Sequence, residues 1–384
     1  MNKKIALFLA LLIASVMLVC CGKANTLEDI KSEPQDPIQL QIDQMTLVEK
    51  IGQMVIVGLE GTSMQANAKE MIESYKIGGF ILYKNNITDA VQASILLNQL
   101  KGTNYSNIAP LWLSVDQEGG RVSRLPESFP KIPSAEDIGR KDQPEYSYQV
   151  GQQLAEDIRS LGFNMNFAPV LDINSNPNNP VIGSRSFGTE PQIVIRHGIQ
   201  TMKGIQSKQV VPVVKHFPGH GDTSVDSHLE LPVISKSIDE LQAFELLPFA
   251  DAIKQQADAI MIAHLLIPQI DEHSPASLSD KIIRQLLRAQ LQFDGVVITD
   301  DMTMGGITNH YDIGEAAVKS VSAGSDIILV GHNYNQQITV LRALKQSAED
   351  GRLKMKAIDD SVYRIIRLKL KYNLKDSPVE TVAP

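Results

Sequence analysis

Short apolar runs recur along the chain from residue 54 onward, and most are separated by amphipathic stretches. They read MVIVGLE (54–60), IGGFILY (77–83), LWLSVD (111–116), FNMNFAPVLDI (163–173), VVPVVKHF (210–217), AIMIAHLLI (259–267), GVVITDD (295–301) and SDIILVG (325–331). Runs this short, rich in Val and Ile and apolar at consecutive positions, predict strands buried on both faces. Between them, residues 146–161, 192–206, 237–255 and 313–323 repeat their apolar positions at helical spacing, and 336–348 and 357–374 read as closing helices. Thr46 followed by Glu49 is a capping-box pattern at the start of the series. About eight βα units in one domain predict a single TIM-type (β/α)8 barrel, irregular because the spacing is uneven and the loop around 172–190 is long. A doubly wound open sheet is the competing architecture. No internal repeat or composition shift marks a second domain.

In a barrel, functional side chains gather where strands end. Asp116 follows LWLSV, Asp172 follows FAPVL, Lys215 and His216 follow VVPVV, His264 follows AIMIA, and Asp300 and Asp301 follow GVVIT. An apolar strand has no structural need to finish on a charge. The stretch after the fifth run, KHFPGHGDTSVDSHLELP (215–232), holds His216, His220, His228, Asp222 and Asp226, and its glycines and prolines exclude a continuous helix. Asp226 and His228 are two apart, so a locally extended segment puts both on one side. A carboxylate bonded to an imidazole fixes its tautomer and favours its protonated form. Gly219 and Gly221 are candidate hinges for this loop.

A retaining sugar-cleaving enzyme needs a carboxylate nucleophile and a separate proton donor. Asp300 fits the first role, because the most apolar strand presents it. Asp301 should point to the other side and cap or support. The pair could instead hold Mg²⁺, but no glycine-rich phosphate loop accompanies it. The histidines and aspartates of 215–232 could bind a metal, yet their spacing matches no common zinc pattern. Neither a metal nor a cofactor is expected. Lys215, Arg124, Arg185 and Asp116 are the binding candidates, since sugar hydroxyls need donors and acceptors in fixed directions. Arg121 lies near Asp116 as well.

Composition narrows the partners. The 384 residues are 43% hydrophobic and 21% charged, which is ordinary for a globular protein, and the net charge of −8 argues against a nucleic-acid surface. Both cysteines, Cys20 and Cys21, are near the N-terminus, so the body has no disulfide. Asn2-Lys3-Lys4, the apolar run 5–19 and Cys20-Cys21-Gly22 resemble a bacterial lipoprotein signal peptide with Cys21 lipidated; Cys20 departs from the small residue usual before it. An ordinary cleaved signal and a short uncleaved anchor are the other readings. Any of the three puts the body outside the cytoplasm. The expected organisation is a signal over 1–21, a polar tether over 22–42 containing Pro34 and Pro37, the barrel over 43–376 and a tail over 377–384.

KHFPGHGDTSVDSHLELP, together with VDQEGGRVSRLP, GSRSFG and VVITDDMTMGGI, strongly resembles the family 3 glycoside hydrolases. The match runs over about 45–374 and is closest to the β-N-acetylglucosaminidase branch that cleaves peptidoglycan fragments. The resemblance implies that Asp300 is the nucleophile and that His228, paired with Asp226, is the acid/base on a mobile loop. It implies that Asp116, Arg124, Arg185, Lys215 and His216 line the pocket for a terminal N-acetylglucosamine. The β-glucosidase branch takes its acid/base carboxylate from a second domain, for which this chain is too short. The expected partners are cell-wall fragments and, through the lipid, a membrane; a monomer is expected. The rival readings are a β-glucosidase or β-xylosidase, a phosphorolytic variant, a silent sugar-binding lipoprotein and a metallohydrolase.

Overall fold

The computed structural model describes residues 36–380. Each of the apolar runs contains a strand: β1 (Val55–Gly58), β2 (Gly79–Leu82), β3 (Trp112–Val115), β4 (Met165–Asn166), β5 (Val211–Phe217), β6 (Ala259–Ile262), β7 (Val296–Thr299) and β8 (Ile328–Val330). Every strand residue is buried, as a sheet covered on both faces requires. All pairings are parallel, each strand lies beside the next in sequence, and β8 returns to β1. A bridge between Ile298 and Ile327 joins β7 to β8, so the sheet closes into the expected (β/α)8 barrel.

That last seam has little backbone ladder, and a side chain reinforces it. Asp326, just before β8, is wholly buried. Its N–H donates to the Val297 carbonyl, and its Oδ2 accepts from the Val297 N–H at 2.8 Å. The same carboxylate takes Arg288 Nη2 at 2.5 Å, Arg364 Nη1 at 3.1 Å and Ser361 Oγ at 2.9 Å. One acidic group thus pins two strands and two outer segments.

The helices fall where the periodicity places them, notably at Pro144–Leu161, Pro191–Ser207 and Ile313–Ala323, and Thr46 and Glu49 form the capping box of Leu47–Gln53. Three expectations need correction. The run at 163–173 is a strand at Met165–Asn166 and meets β5 again at a single bridge, Val170 with Lys215; Pro169 between them has no N–H to give a ladder. The helix expected over 237–255 is two, Ile238–Ala243 and Leu247–Lys254; Pro248 cannot donate to the Phe244 carbonyl, and the chain breaks there. The tether expected to reach residue 42 ends earlier, since Pro37–Gln44 is helical with proline in the first turn, where its missing N–H costs nothing. The tail is fastened as far as Val379, which exchanges two hydrogen bonds with Asn98 at 2.9 Å. The signal, Cys21 and the rest of the tether lie outside the described residues. No described helix is long and apolar enough to cross a membrane.

Asp326→Ala removes a wholly buried carboxylate from two partly buried guanidiniums and leaves the Val297 N–H without its partner. Losing one partner of a buried pair typically costs about 3–5 kcal/mol, so the denaturant midpoint should fall steeply. An unchanged midpoint would mean that the seam holds without it.

Candidate active site

The C-terminal ends of the strands enclose a cavity of about 350 Å³. Asp116, Arg124, Arg185, Lys215, His216, His228 and Asp300 all line it, together with Glu118 and His220. Asp226 stands behind His228.

The floor is an ion network anchored on β3 and β5. Lys215 is 2% exposed, and its Nζ reaches Asp116 Oδ1 at 2.6 Å and Glu118 Oε1 at 2.8 Å. Burial works against its charge, but Asp116 and Glu118 outweigh it and raise the pKa, so Lys215 stays an ammonium. Glu118 also takes a two-pronged bond from Arg185, Nε to Oε2 at 2.9 Å and Nη2 to Oε1 at 2.8 Å. Burial would raise the Glu118 pKa; Arg185 and Lys215 hold it well below the usual carboxylate range instead. Arg185 Nη2 lies 3.3 Å from His216 Nε2, while His216 Nδ1 lies 2.6 Å from Asp172 Oδ2. Arg124 is positioned through its N–H, which donates to Gln117 Oε1, and its buried Nε has no hydrogen-bond partner among the described residues. Arg121 is different, since its guanidinium is used by the Val181 and Ile182 carbonyls.

Glu118 was not among the sequence candidates. Its signal was charge balance: Lys215, Arg185 and Arg124 outnumber Asp116 among the binding candidates, and Glu118 is two residues from Asp116. Asp172, read only as a strand-end polar residue, is the other omission. It is fully buried and receives the His216 ring and, at 2.6 Å, the His220 N–H.

The two adjacent aspartates both line the cavity, so Asp301 does not point away as expected; both lie past the end of β7 at Thr299, where strand alternation no longer holds, and they divide by their hydrogen bonds instead. Asp301 is committed: Oδ1 accepts from Thr303 N at 2.9 Å, Thr303 Oγ1 at 2.8 Å and Gly331 N at 2.9 Å, and Oδ2 from Tyr83 OH at 3.3 Å. Asp300 accepts the N–H of Asp301 at 2.8 Å and otherwise faces the cavity. Burial pushes its carboxyl up, but the field of His216 and His264 and the Asp301 N–H bring it down to about 2, so it is ionised near neutrality. His264 does not line the cavity. It sits behind, with Nε2 donating to the Asp301 carbonyl and Nδ1 accepting from Ser277 Oγ, and burial depresses its pKa.

The loop after β5 carries the imidazole. His228 Nδ1 lies 2.8 Å from Asp226 Oδ1, which also accepts the His228 N–H at 2.9 Å. The carboxylate holds hydrogen on Nδ1 and leaves Nε2 as the ring's working nitrogen. Gly219 and Gly221 are not hinges. Gly219 has φ +129° and would put a Cβ 2.9 Å from that of Glu245; a Cβ on Gly221 would overlap the Ile173 carbonyl. They are glycines because neighbours pass close. His220 fastens the same stretch: its Nδ1 meets Thr223 Oγ1 at 2.9 Å and its Nε2 meets Ser227 Oγ at 3.0 Å. Most of the part beyond Thr223 reaches solvent, with Val225 and Leu229 exposed.

A closed parallel barrel in which an ionised carboxylate and a carboxylate-backed imidazole share one polar cavity defines a site for combined nucleophilic and acid–base chemistry. Residues 46–368 match the model of the glycosyl hydrolase family 3 N-terminal domain, and the chain belongs to that family. It is 35% identical over 334 residues to the β-hexosaminidase A of Pseudoalteromonas piscicida, covering 81% of this chain and 56% of that one. It is 33% identical over 331 residues to the β-hexosaminidase LpqI of Mycobacterium tuberculosis, covering 84% and 82%. A family 3 β-N-acetylglucosaminidase structure from Paenibacillus superposes with a TM-score of 0.86 at 40% identity, over 88% of this chain and 65% of that one. The chain therefore spans about half to two-thirds of some relatives and most of others.

His220 gives a pH signature. Burial and the nearby His216 outweigh Asp172 and hold its pKa down to about 4, below the ordinary value of about 6.5. Between those values the unfolded chain binds a proton that the folded one refuses, so stability falls as the pH drops through that window. His220→Gln should flatten the fall in thermal midpoint from pH 6.5 to 4; an identical slope in both proteins would remove His220 as its source.

Proposed function

We propose that this protein is a retaining exo-β-N-acetylglucosaminidase acting on terminal, non-reducing β-linked N-acetylglucosamine, with peptidoglycan fragments as its substrates. The observation that carries the reading is the shared cavity: Asp300 and His228 line the same space as Asp116, Arg124, Arg185, Lys215 and His216. The names of its relatives support the glycan, and the resemblance of its motifs supports the cell-wall source. In this reading the charged floor binds the hydroxyls of one sugar ring, and Asp300 lies beneath the anomeric carbon.

Asp300 attacks that carbon while the glycosidic C–O bond breaks, and His228 Nε2–H gives its proton to the departing oxygen. The product is a glycosyl-aspartate. Neutral His228 then takes a proton from water as its oxygen attacks the same carbon, which frees Asp300 and releases the sugar with its β configuration. Asp226 steadies the imidazolium that alternates with the neutral ring. The low pKa of Asp300 suits a group that must be an anion both as nucleophile and as leaving group.

A pair of variants tests both assignments on aryl N-acetyl-β-glucosaminides. Asp300→Asn should lower kcat by about 10⁴-fold or more, the scale of removing a nucleophile. His228→Ala should cost ~10²–10⁴ with poor leaving groups and much less with good ones, which need no proton. Full turnover by Asp300→Asn, or an equal loss on both substrate types in His228→Ala, would overturn the corresponding role.

The location belongs to the same proposal. The N-terminal pattern supports a lipid on Cys21 that holds the enzyme on the outer side of the cytoplasmic membrane. The full-length protein should sediment with membranes and Cys21→Ala should not; equal sedimentation of the two would exclude that anchor.

A further inference from the structure

We infer that the short segment directly after Asp300 and Asp301 is the dock that sets the proton donor in place, with Gly305 and Gly306 as its positioning residues. The inference rests on the assignment of His228 as that donor.

Four successive residues of the donor loop are each gripped by this one segment. Ser227 O accepts from Gly306 N at 3.1 Å, and His228 O accepts from Gly305 N at 3.1 Å. Leu229 O accepts from Asn309 Nδ2 at 2.9 Å, and Glu230 pairs with His310. Side-chain burial contributes little here: the Leu229 residue is 73% exposed and the His228 side chain 62%. Backbone hydrogen bonds therefore hold the imidazole where it is. Exposed ion pairs such as Glu230 with His310 are weak, so the two glycine N–H groups and the Asn309 amide carry most of the grip.

The dock is tied to the nucleophile by a short, stiff path. Met302 is wholly buried, Thr303 binds the Asp301 carboxylate twice, and Met304 N donates to the Asp301 carbonyl at 3.0 Å. One run of chain thus places the carboxylate that attacks and the bed on which the acid lies. The need for glycine is steric. A Cβ at position 305 would lie 2.6 Å from Leu229 O and 2.9 Å from His228 O, and one at 306 would lie 3.1 Å from Ser227 O. These are backbone atoms, so the donor segment itself must retreat.

The test uses the full chain carrying Gly305→Ala, with an activated nitrophenyl and an unactivated methyl N-acetyl-β-glucosaminide. The ratio of their kcat/KM values should widen about tenfold or more, a part of the ~10²–10⁴ that a proton donor supplies. Inhibition by free N-acetylglucosamine should stay within about twofold, because the sugar floor is untouched. Amide exchange over 224–231 should quicken while the strands stay protected. Asn309→Ala, a change at an exposed side chain, should move the ratio and the exchange in the same direction by about threefold, the effect of one lost hydrogen bond. It decides the matter should Gly305→Ala fail to fold. Wild-type ratios and exchange in the folded variants would overturn the dock. Should His228→Ala itself leave the ratio unchanged, the donor assignment falls, and the exchange measurement alone decides the dock.

Discussion

Keeping a lysine charged where almost no water reaches it is the constraint from which the site follows. Removing an ammonium from water costs several kcal/mol, even after the protein relaxes around it. Lys215 meets that cost with two carboxylates, Asp116 and Glu118. Glu118, buried in turn, needs the guanidinium of Arg185, which reaches toward His216, which is braced by Asp172. Charges of opposite sign alternate from Asp116 through Lys215 and Glu118 to Arg185, and His216 extends the hydrogen-bonded series to Asp172. The result is a rigid floor of donors and acceptors whose directions are fixed before any ligand arrives, so little reorganisation is left for the moment of binding.

The other half of the cavity is built to a different rule. Asp300 ends a buried strand and is as fixed as the floor. His228 is carried by a loop whose root is pinned by His220 and whose tip is held by a few hydrogen bonds, mostly to its backbone, with little burial. A fixed nucleophile and a lightly held acid answer different demands. Attack requires accurate alignment with one carbon, whereas a departing fragment needs room to leave.

Much of this was legible in the residues. The strands announced themselves because a barrel sheet is apolar on both faces, and polar residues at their ends stood out against that background. Asp300 and Asp301 could be told apart in role, though not by direction, since both lie past the end of β7 and line the cavity. Glu118 was harder to see, because its importance comes from two cations, Arg185 and Lys215, that are far from it in sequence and meet it only in the fold. The glycines at 219 and 221 were misread as flexible, since sequence does not say whether a missing side chain gives freedom or makes room for a neighbour. The break before Pro248 was readable from the proline, but the amphipathic pattern ran across it and masked it.

Asp172 joins the two halves, and that has an evolutionary consequence. The same carboxylate braces His216 in the floor and receives the His220 N–H at the root of the donor loop. Any replacement there is pleiotropic: it disturbs ring recognition and proton delivery together, so selection cannot trade one against the other at this position. Residues near the solvent-facing tip, such as Val225 and Leu229, carry no such double duty. Divergence in which fragments are accepted should therefore accumulate at the tip, while the post beneath it stays frozen.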